Sequence, residues 1–213
     1  MKKLPLPLLL AAVALSGCVT GTRVIDLPPP TYSSEKSASG PIYISTIEDN
    51  RSFEQKPRSP STPSVKGNLS STSKEQLATL IGRQRNGYGA AKGDVALPSG
   101  KTVQSTMRAL LTEGLESRGY QVVDDENAAR RLSVSIEKFW AWFSPGMWSV
   151  SFESALDAQI DLEQASGKES FNVTGSGLNK GQMASDANWA LSYQRGFENF
   201  LQNLDEIMDS KGL

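Results

Sequence analysis

The side chains of this sequence that could do chemistry are carboxylates, cationic groups, hydroxyls and one thiol. The 213 residues include no histidine and a single cysteine, Cys18. Without histidine, the Ser/His/Asp and Cys/His arrangements of nucleophilic enzymes are excluded, and so is the side chain that ordinarily titrates near neutral pH. One cysteine also excludes an internal disulfide. Any chemistry therefore depends on the thiol of Cys18 or on groups of acids and bases.

Two acidic groups are the candidates for cation binding or acid–base catalysis. Asp157, Asp161 and Glu163 share one face of a predicted strand, but the glycine turn and clustered oxygens of a calcium loop are missing. Residues 124–126 form an acidic turn without a second acid to oppose them. We expect both groups to lie on a solvated surface. The sequence thus predicts no catalytic residue, no metal site, no cofactor and no enzyme activity.

Two glycine-containing segments have partial likeness to phosphate-binding loops. The basic segment 83–93 has no strand entering it directly, and its third glycine, Gly93, stands one residue late for a dinucleotide motif. Gly100 to Thr102 ends like a Walker A loop, but Val95 occupies the place of the first glycine. We expect a loop and a helix cap instead. The formal charge of −1 gives no field that attracts polyanions, so nucleic acid is not an expected partner.

Cys18 stands where a thiol can be acylated. Lys2 and Lys3 precede an apolar run over residues 4–15, which is too short to span a bilayer as a stable helix. The run ends in Leu15-Ser16-Gly17-Cys18, which resembles the bacterial lipobox. We therefore expect residues 1–17 to be a lipoprotein signal peptide. The acylated Cys18 then begins the mature chain and holds it on a membrane.

The residues after Cys18 predict where the domain stands. By analogy with lipoprotein sorting in Gram-negative bacteria, Val19 in place of aspartate favours the outer membrane, with the protein facing the periplasm. Residues 18–40 are rich in proline and serine and are typical of a tether. If extended, the 22 residues after Cys18 would span about 60–70 Å. The alternative is that part of this segment packs on the domain.

Residues 41–213 are predicted to form a single α+β periplasmic domain, with a long Pro/Ser-rich insertion at about 51–73. A short helix capped at Ser73 is expected to run towards Gly82. The other predicted elements are a strand at 42–47, a helix at 103–118, a strand at 120–123, three strands of a meander within 132–177, and a helix at 185–208. The expected fold is a mostly antiparallel four- to five-stranded sheet with two helices packed on one face.

The aromatic tip of the predicted hairpin is the candidate partner-binding site. Along the first strand the even positions from Leu132 to Trp142 are apolar except for Lys138, which predicts one buried face. At the tip, however, both faces carry large apolar side chains, namely Trp140, Trp142, Phe143, Met147 and Trp148. If exposed, they form a patch typical of a protein or membrane contact. The alternative is that the insertion or a helix covers them.

The signal, the first strand, the segment TVQSTMRALLTEGLESRGY at 102–120, Val122-Val123, the meander and the last helix resemble the YajG-like family of small bacterial outer-membrane lipoproteins. The resemblance covers the signal and roughly residues 95–205. That family is largely uncharacterised, so the resemblance implies no substrate and no catalytic residue. This chain departs from it in a longer insertion, a longer loop at 83–93 and the Trp-rich tip.

Together these features predict a non-catalytic periplasmic lipoprotein that scaffolds or assists a protein assembly at the outer membrane. Its expected partners are the membrane, through Cys18, and an envelope protein, through the hairpin tip and the loop at 83–93. The alternative is a carrier or transport-accessory lipoprotein that binds a lipid or another apolar ligand between sheet and helices. A continuous apolar cavity would favour the carrier, whereas a filled core would count against it.

Overall fold

The structure, a computed structural model, describes residues 21–35, 40–85, 90–146, 149–181 and 185–213. Within these ranges eight strands form one mixed sheet, accompanied by three helices. The strands are β1 (Arg23–Val24), β2 (Gly40–Asp49), β3 (Leu80–Arg85), β4 (Ala91–Ala96), β5 (Tyr120–Val122), β6 (Arg131–Pro145), β7 (Val150–Gln164) and β8 (Gly167–Gly181). The helices are α1 (Lys74–Leu77), α2 (Val103–Ser117) and α3 (Asp186–Ser210).

The sheet is organised around the long strand β6. On one side β6 pairs antiparallel with β7, which pairs antiparallel with β8. On the other side its first half pairs parallel with β2, and its second half pairs parallel with β3. Strand β5 extends the first half beside β2, while β4 and β1 extend the second half beside β3. The two groups of strands, β2 with β5 and β3 with β4 and β1, thus lie one after the other along the same side of β6, and we call them the two half-sheets.

The predicted mostly antiparallel sheet of four to five strands is therefore wrong. The sheet has eight strands and is mixed, because β2 and β3 both run parallel to β6 and two further pairings are parallel. Leu77, Leu80 and Ile81 have helical spacing, but α1 ends after one turn and β3 begins at Leu80. Strand β4 is short and has no alternating pattern of apolar residues, so no local signal predicts it.

The other predicted elements are confirmed. Helix α2 begins after Thr102, whose hydroxyl accepts from the amide of Ser105 in a reciprocal capping box. Helix α3 begins after Ser185, which caps the amide of Asn188. The meander β6–β7–β8 is also present, with each strand 15 residues long. Helices α2 and α3 form one layer on the sheet, as expected.

A bulge in β6 changes which of its side chains face the helices. The register of β6 against β7 shifts between Ile136 and Lys138, so Glu137 is an extra residue. Before the bulge the buried side chains are at even positions; after it, Phe139 and Ala141 face the main core. Trp140 and Trp142 therefore belong to the opposite face. The single apolar face predicted over 132–142 is wrong for the residues beyond the bulge.

The main core lies between the sheet and the layer of α2 and α3. Phe139 stacks on Tyr193 with ring centroids 5.3 Å apart, and Phe197 lies 5.8 Å from Tyr193. The hydroxyl of Tyr193 donates to the carbonyl of Ile81, which links α3 to β3. Complete burial raises the pKa of the Tyr193 phenol well above its ordinary value. Aromatic rings thus fill the space between helix and sheet at this point.

The insertion covers the other face of the sheet. Val65 from the insertion packs with Leu80, Ala96 and Trp140 in a second buried cluster. Phe53, Leu69 and Leu77 line its margin. A segment that is mostly polar therefore supplies the few apolar side chains that this face of β6 needs. An insertion that is rich in proline and serine thus contributes to a core.

Arg51 fixes the start of the insertion to the sheet. Its Nε and Nη2 donate to the two carboxylate oxygens of Asp49, at 2.7 and 2.8 Å. Its Nη1 donates to the carbonyls of Leu80 and Phe139, at 2.6 and 3.0 Å. Nη2 also donates to the carbonyl of Leu77, at 2.8 Å. All five N–H groups of the buried guanidinium are therefore used.

The segment predicted as a tether packs on the domain over most of its described length. Ile25 and Leu27 are buried in the main core, and β1 pairs with β4. The amide of Tyr32 donates to the carboxylate of Glu113 on α2, at 2.7 Å. Ser34 donates to Asp205 on α3, at 2.8 Å. The alternative left open by the sequence, that part of this segment packs on the domain, is the one that the structure supports.

Replacing Arg51 by methionine should destabilise the fold strongly. The change leaves the Asp49 carboxylate and three carbonyls without their donor in a buried place, which typically costs about 3–5 kcal/mol of unfolding free energy. Urea denaturation of the mature chain measures the loss. The control Lys168→Met removes an exposed lysine that pairs with Asp161 and should leave the midpoint unchanged. Equal midpoints for Arg51→Met and the parent would show that the hydrogen bonds of Arg51 do not hold the insertion on the sheet.

Candidate functional site

The structure separates the predicted site residues into three groups. Cys18, Met147 and Trp148 lie outside the described residues. Trp140 is fully buried. Trp142 and Phe143 are half-buried at the end of β6. The predicted tip is thus not one continuous aromatic patch within the described part of the chain, because its side chains are divided between the two faces of the sheet.

Trp140 is a core residue of the second cluster. Its ring meets that of Phe53 edge-on, with centroids 5.9 Å apart. Its Nε1 donates to the carbonyl of Pro60 at 3.2 Å, so the polar edge of the indole is also satisfied by the insertion. The sequence left open whether the insertion covers the tip, and for Trp140 it does. This side chain is not available to a partner in the present structure.

Phe143 and Trp142 point to opposite faces of β6. Phe143 packs against the main core, with its ring centroid 5.7 Å from that of Phe152. Trp142 lies on the other face, and the Nζ of Lys138 stands 5.8 Å from its ring centroid. Trp142 pairs across the sheet with Glu153 of β7, and Glu153 pairs with Leu178 of β8. These three side chains form a row across three strands, which we call the tip row.

Leu178 makes the tip row distinctive. It is 48% exposed, and among the described residues only Val24, at 56%, is the other large apolar side chain standing out in solvent. The carboxylate of Glu153 accepts from the hydroxyl of Ser144 at 3.0 Å, which holds it between the two apolar neighbours. The tip row thus presents a half-buried indole, a carboxylate and an exposed leucine side by side.

The outer edge of β8 is capped by side chains of α3. Asn199 accepts from the amide of Ser176 at 3.0 Å, and Asn203 donates to the carbonyl of Thr174 at 2.8 Å. Arg195 donates to the carbonyl of Leu178. Three outward backbone groups in the middle of β8 are therefore unavailable to an added strand. Gly175 and Gly177 allow this close approach, since a Cβ on Gly177 would stand 1.9 Å from the carbonyl oxygen of Ser192.

The basic segment 83–93, predicted as a loop, contributes two paired strands, β3 and β4; its residues 86–89 lie outside the described ranges. Arg83 pairs with Asp94 in the sheet, and its Nη1 stands 3.6 Å from the carboxylate. Burial raises the pKa of Asp94 above its ordinary value, although Arg83 and the amide of Lys66 oppose the shift. Arg83 and Arg85 line a pocket of about 350 Å³ beneath the insertion. In a strand, a spacing of two residues places Arg83 and Arg85 on the same face, and this spacing is the sequence signal for the basic pocket.

The acidic groups lie at the surface. Asp161 accepts from Ser170 and pairs with Lys168 at 3.0 Å, which lowers the pKa of its carboxyl below the ordinary value. Asp157 accepts from the amide nitrogen of Asn172 at 2.5 Å. Asp124 to Glu126 are exposed. In the part of the chain that the structure describes, no three His, Cys, Asp or Glu side chains are grouped so that they could hold a metal ion.

These observations define a class of protein: a mixed α+β domain with a core on each face of its sheet and no helix, among the described residues, that is long and apolar enough to cross a membrane. A family model described as an uncharacterized lipoprotein matches residues 85–194, which is just over half of the chain. The chain belongs to this lipoprotein family, to which the YajG-like proteins also belong. It is therefore a membrane-anchored lipoprotein of a family without known activity.

Comparisons with individual proteins add little. The search of curated proteins finds no match. Among solved structures, a Xanthomonas campestris protein of a family of unknown function is 8% identical, covers 89% of this chain and 98% of its own, and has a TM-score of 0.42. A hypothetical protein of Chlamydia trachomatis is 9% identical, covers 79% of this chain and 96% of its own, and has a TM-score of 0.34. At these scores neither similarity bears on function.

The two tryptophans of β6 should respond differently to truncation. Trp140→Ala removes the centre of the second cluster and should lower the unfolding free energy by about 3–5 kcal/mol, whereas Trp142→Ala should cost clearly less because its side chain is half-buried. Chemical denaturation of the two variants measures the difference. A larger loss for Trp142→Ala would mean that Trp142, and not Trp140, holds the insertion on the sheet.

Proposed function

We propose that this protein is a non-catalytic lipoprotein of the outer membrane, anchored through Cys18 and facing the periplasm, that holds or assists a protein assembly there. The observation that carries the proposal is the tip row, in which Glu153 lies between half-buried Trp142 and exposed Leu178 on a lipoprotein domain. Apolar side chains exposed around a polar one are typical of a contact surface. The partner is an envelope protein.

An anchor at Cys18 would limit how far the domain stands from the lipid. Packing of the domain begins at Arg23 in β1, only five residues beyond Cys18. Five extended residues reach at most about 18 Å. The domain thus stands much closer to the membrane than the tether of about 60–70 Å would allow.

The filled core supports the scaffold over the carrier alternative. A carrier needs a continuous apolar cavity between sheet and helices. In that layer the described side chains include the mutually packed rings of Phe139, Tyr193 and Phe197, all essentially buried. Phe152 and Trp189 extend the same packing, with ring centroids 5.2 Å apart. We therefore propose the scaffold as the first function and the carrier of an apolar ligand as the alternative.

The anchor is tested by replacing Cys18 with serine. A hydroxyl does not accept the diacylglyceryl group that the lipobox resemblance implies, so the variant should incorporate no labelled palmitate and should leave the membrane fraction. The matched variant Val19→Asp should still be labelled but should move to the inner membrane under the sorting rule. Labelling of Cys18→Ser at the level of the parent would contradict the assignment of the lipid to this residue.

The contact surface is tested by crosslinking and purification from intact cells. We expect the lipidated parent to recover a defined envelope protein and the double variant Trp142→Ser/Leu178→Ser to lose it by more than about tenfold, since anchors of this kind contribute over about 1.4 kcal/mol. The control is Val24→Ser, which removes the exposed apolar side chain of β1, away from the tip row.

Folding of each variant is checked by circular dichroism and thermal unfolding. Equal recovery by the folded double variant and the parent would refute the tip row as the contact surface. Recovery of lipid alone by the parent would refute the scaffold and favour the carrier.

A further inference from the structure

The pocket beneath the insertion lies one strand along from the tip row, because Arg83 of β3 pairs with Trp142 of β6. It is a cleft of about 350 Å³ between the insertion and the β3–β4 hairpin. Its walls include Arg83 and Arg85 from β3, and Lys56, Ser64 and Val65 from the insertion. Its volume lies at the lower end of the range of small-ligand sites. Three cationic side chains thus converge on one small space.

Arg83 is the most buried charged side chain that lines this pocket. The residue is only 7% exposed, yet its Nε and Nη1 have no hydrogen-bond acceptor among the described residues. The carboxylate of Asp94 stands 3.6 Å from Nη1, beyond hydrogen-bond distance. Both Asp94 oxygens instead accept from the amide of Lys66, at 2.9 and 3.2 Å. A buried guanidinium ordinarily directs its N–H fork at an anion. Arg83 keeps an ion pair with Asp94, but its Nε and Nη1 have no hydrogen-bond acceptor among the described residues.

Arg51 shows by contrast what a fully satisfied guanidinium looks like in this fold. It lies equally buried, under the same insertion, and all five of its N–H groups have acceptors. The two arginines are thus in similar surroundings with opposite hydrogen-bond states. Arg51 has a structural role that uses its whole bonding capacity, and that explanation does not extend to Arg83.

Ser64 adds an independent observation on the opposite wall. Its side chain is 1% exposed and lines the pocket, but its Oγ has no hydrogen-bond partner within the described ranges. Burying a hydroxyl without a hydrogen-bond partner costs folding free energy, which a bound acceptor or donor would recover. Burial lowers the pKa of both Arg83 and Arg85, which an anion bound between them would offset. Nε and Nη1 of Arg83 on one wall and Oγ of Ser64 on the other therefore have no hydrogen-bond partner among the described residues.

We propose that this pocket binds a phosphate group, with the forks of Arg83 and Arg85 on one side and the hydroxyl of Ser64 on the other. A tetrahedral oxyanion offers acceptor oxygens in several directions, whereas a planar carboxylate is satisfied by a single fork. Lys56, exposed at the rim, adds charge at the entrance. The phosphate comes either from a soluble phosphate compound or from the headgroup of an anionic phospholipid. The proposal does not depend on the contact surface above.

Calorimetric titration of the mature lipidated chain in dodecyl maltoside tests the proposal. The probes are inorganic phosphate, glycerol 3-phosphate and dihexanoyl phosphatidylglycerol, with dihexanoyl phosphatidylcholine as the zwitterionic control. Saturable binding of the first two identifies a soluble source, and saturable binding of phosphatidylglycerol without phosphatidylcholine identifies a headgroup. If none of the three anionic probes binds saturably, the proposal is wrong.

Paired variants give effects of opposite sign. Arg83→Met should weaken binding by at least about tenfold, because a charged hydrogen-bond donor is lost. Asp94→Asn keeps an acceptor for the amide of Lys66 but removes the competing carboxylate, and should tighten binding by about tenfold. Lys168→Met removes an equal charge at the far end of the β7–β8 hairpin and should change nothing.

The variant outcomes are separable from loss of folding. Thermal unfolding of each variant accompanies the titration, and the tighter binding expected for Asp94→Asn cannot arise from a misfolded domain. Should Arg83→Met fail to fold, Lys56→Met at the exposed rim replaces it and should weaken binding in the same direction. The site is wrong if Asp94→Asn and the folded Arg83→Met both bind phosphate with the affinity of the parent. Lys56→Met takes the place of Arg83→Met in this comparison if Arg83→Met does not fold. This conclusion holds even if the parent binds phosphate elsewhere.

Discussion

The extra residue in β6, at Glu137, is the constraint on which both faces of the sheet depend. Side chains of a strand alternate with a period of two, so one added residue moves every later side chain to the other face. The shift sends Phe139 into the rings of α3 and turns Trp140 towards the insertion. Arg51 bonds the carbonyl of Phe139 just beyond the shift, which ties the insertion to this register. The long strand can therefore serve two cores and two half-sheets.

The same constraint explains why a mostly polar insertion is part of the fold. Beyond the bulge, a large indole on the second face needs cover, and the insertion supplies Phe53 and Val65 for it. The cover is small, because few apolar side chains are available. Where it ends, the insertion and the β3–β4 hairpin leave the basic pocket between them. The pocket thus lies beside the place where a mostly polar insertion covers Trp140.

The sequence predicted those elements whose signals are local. Thr102 and Ser185 mark the starts of α2 and α3, and the alternation in β7 gives its buried face correctly. Prediction from the sequence failed for β3 and β4, whose strand structure depends on tertiary pairing. The two strands bond to each other, and β3 also bonds to β6. The sequence also shows that large apolar residues occupy both faces of the hairpin tip. It does not show that Trp140 and Trp142 lie on one face and Phe143 on the other, because this arrangement depends on a one-residue bulge that no alternation pattern reveals.

The edges of the sheet limit how a partner can bind. Strand β8 is the longest edge, and Asn199, Asn203 and Arg195 from α3 bond three outward backbone groups in its middle. The edge strands β1, with two residues, and β5, with three, are too short to template an added strand. Beyond β5, residues 43–49 of β2 pair only with β6 among the described strands, and there Arg108 donates to the carbonyl of Ile44. The contact surface that we propose needs no added strand, because the row from Trp142 to Leu178 consists of side chains on a sheet face.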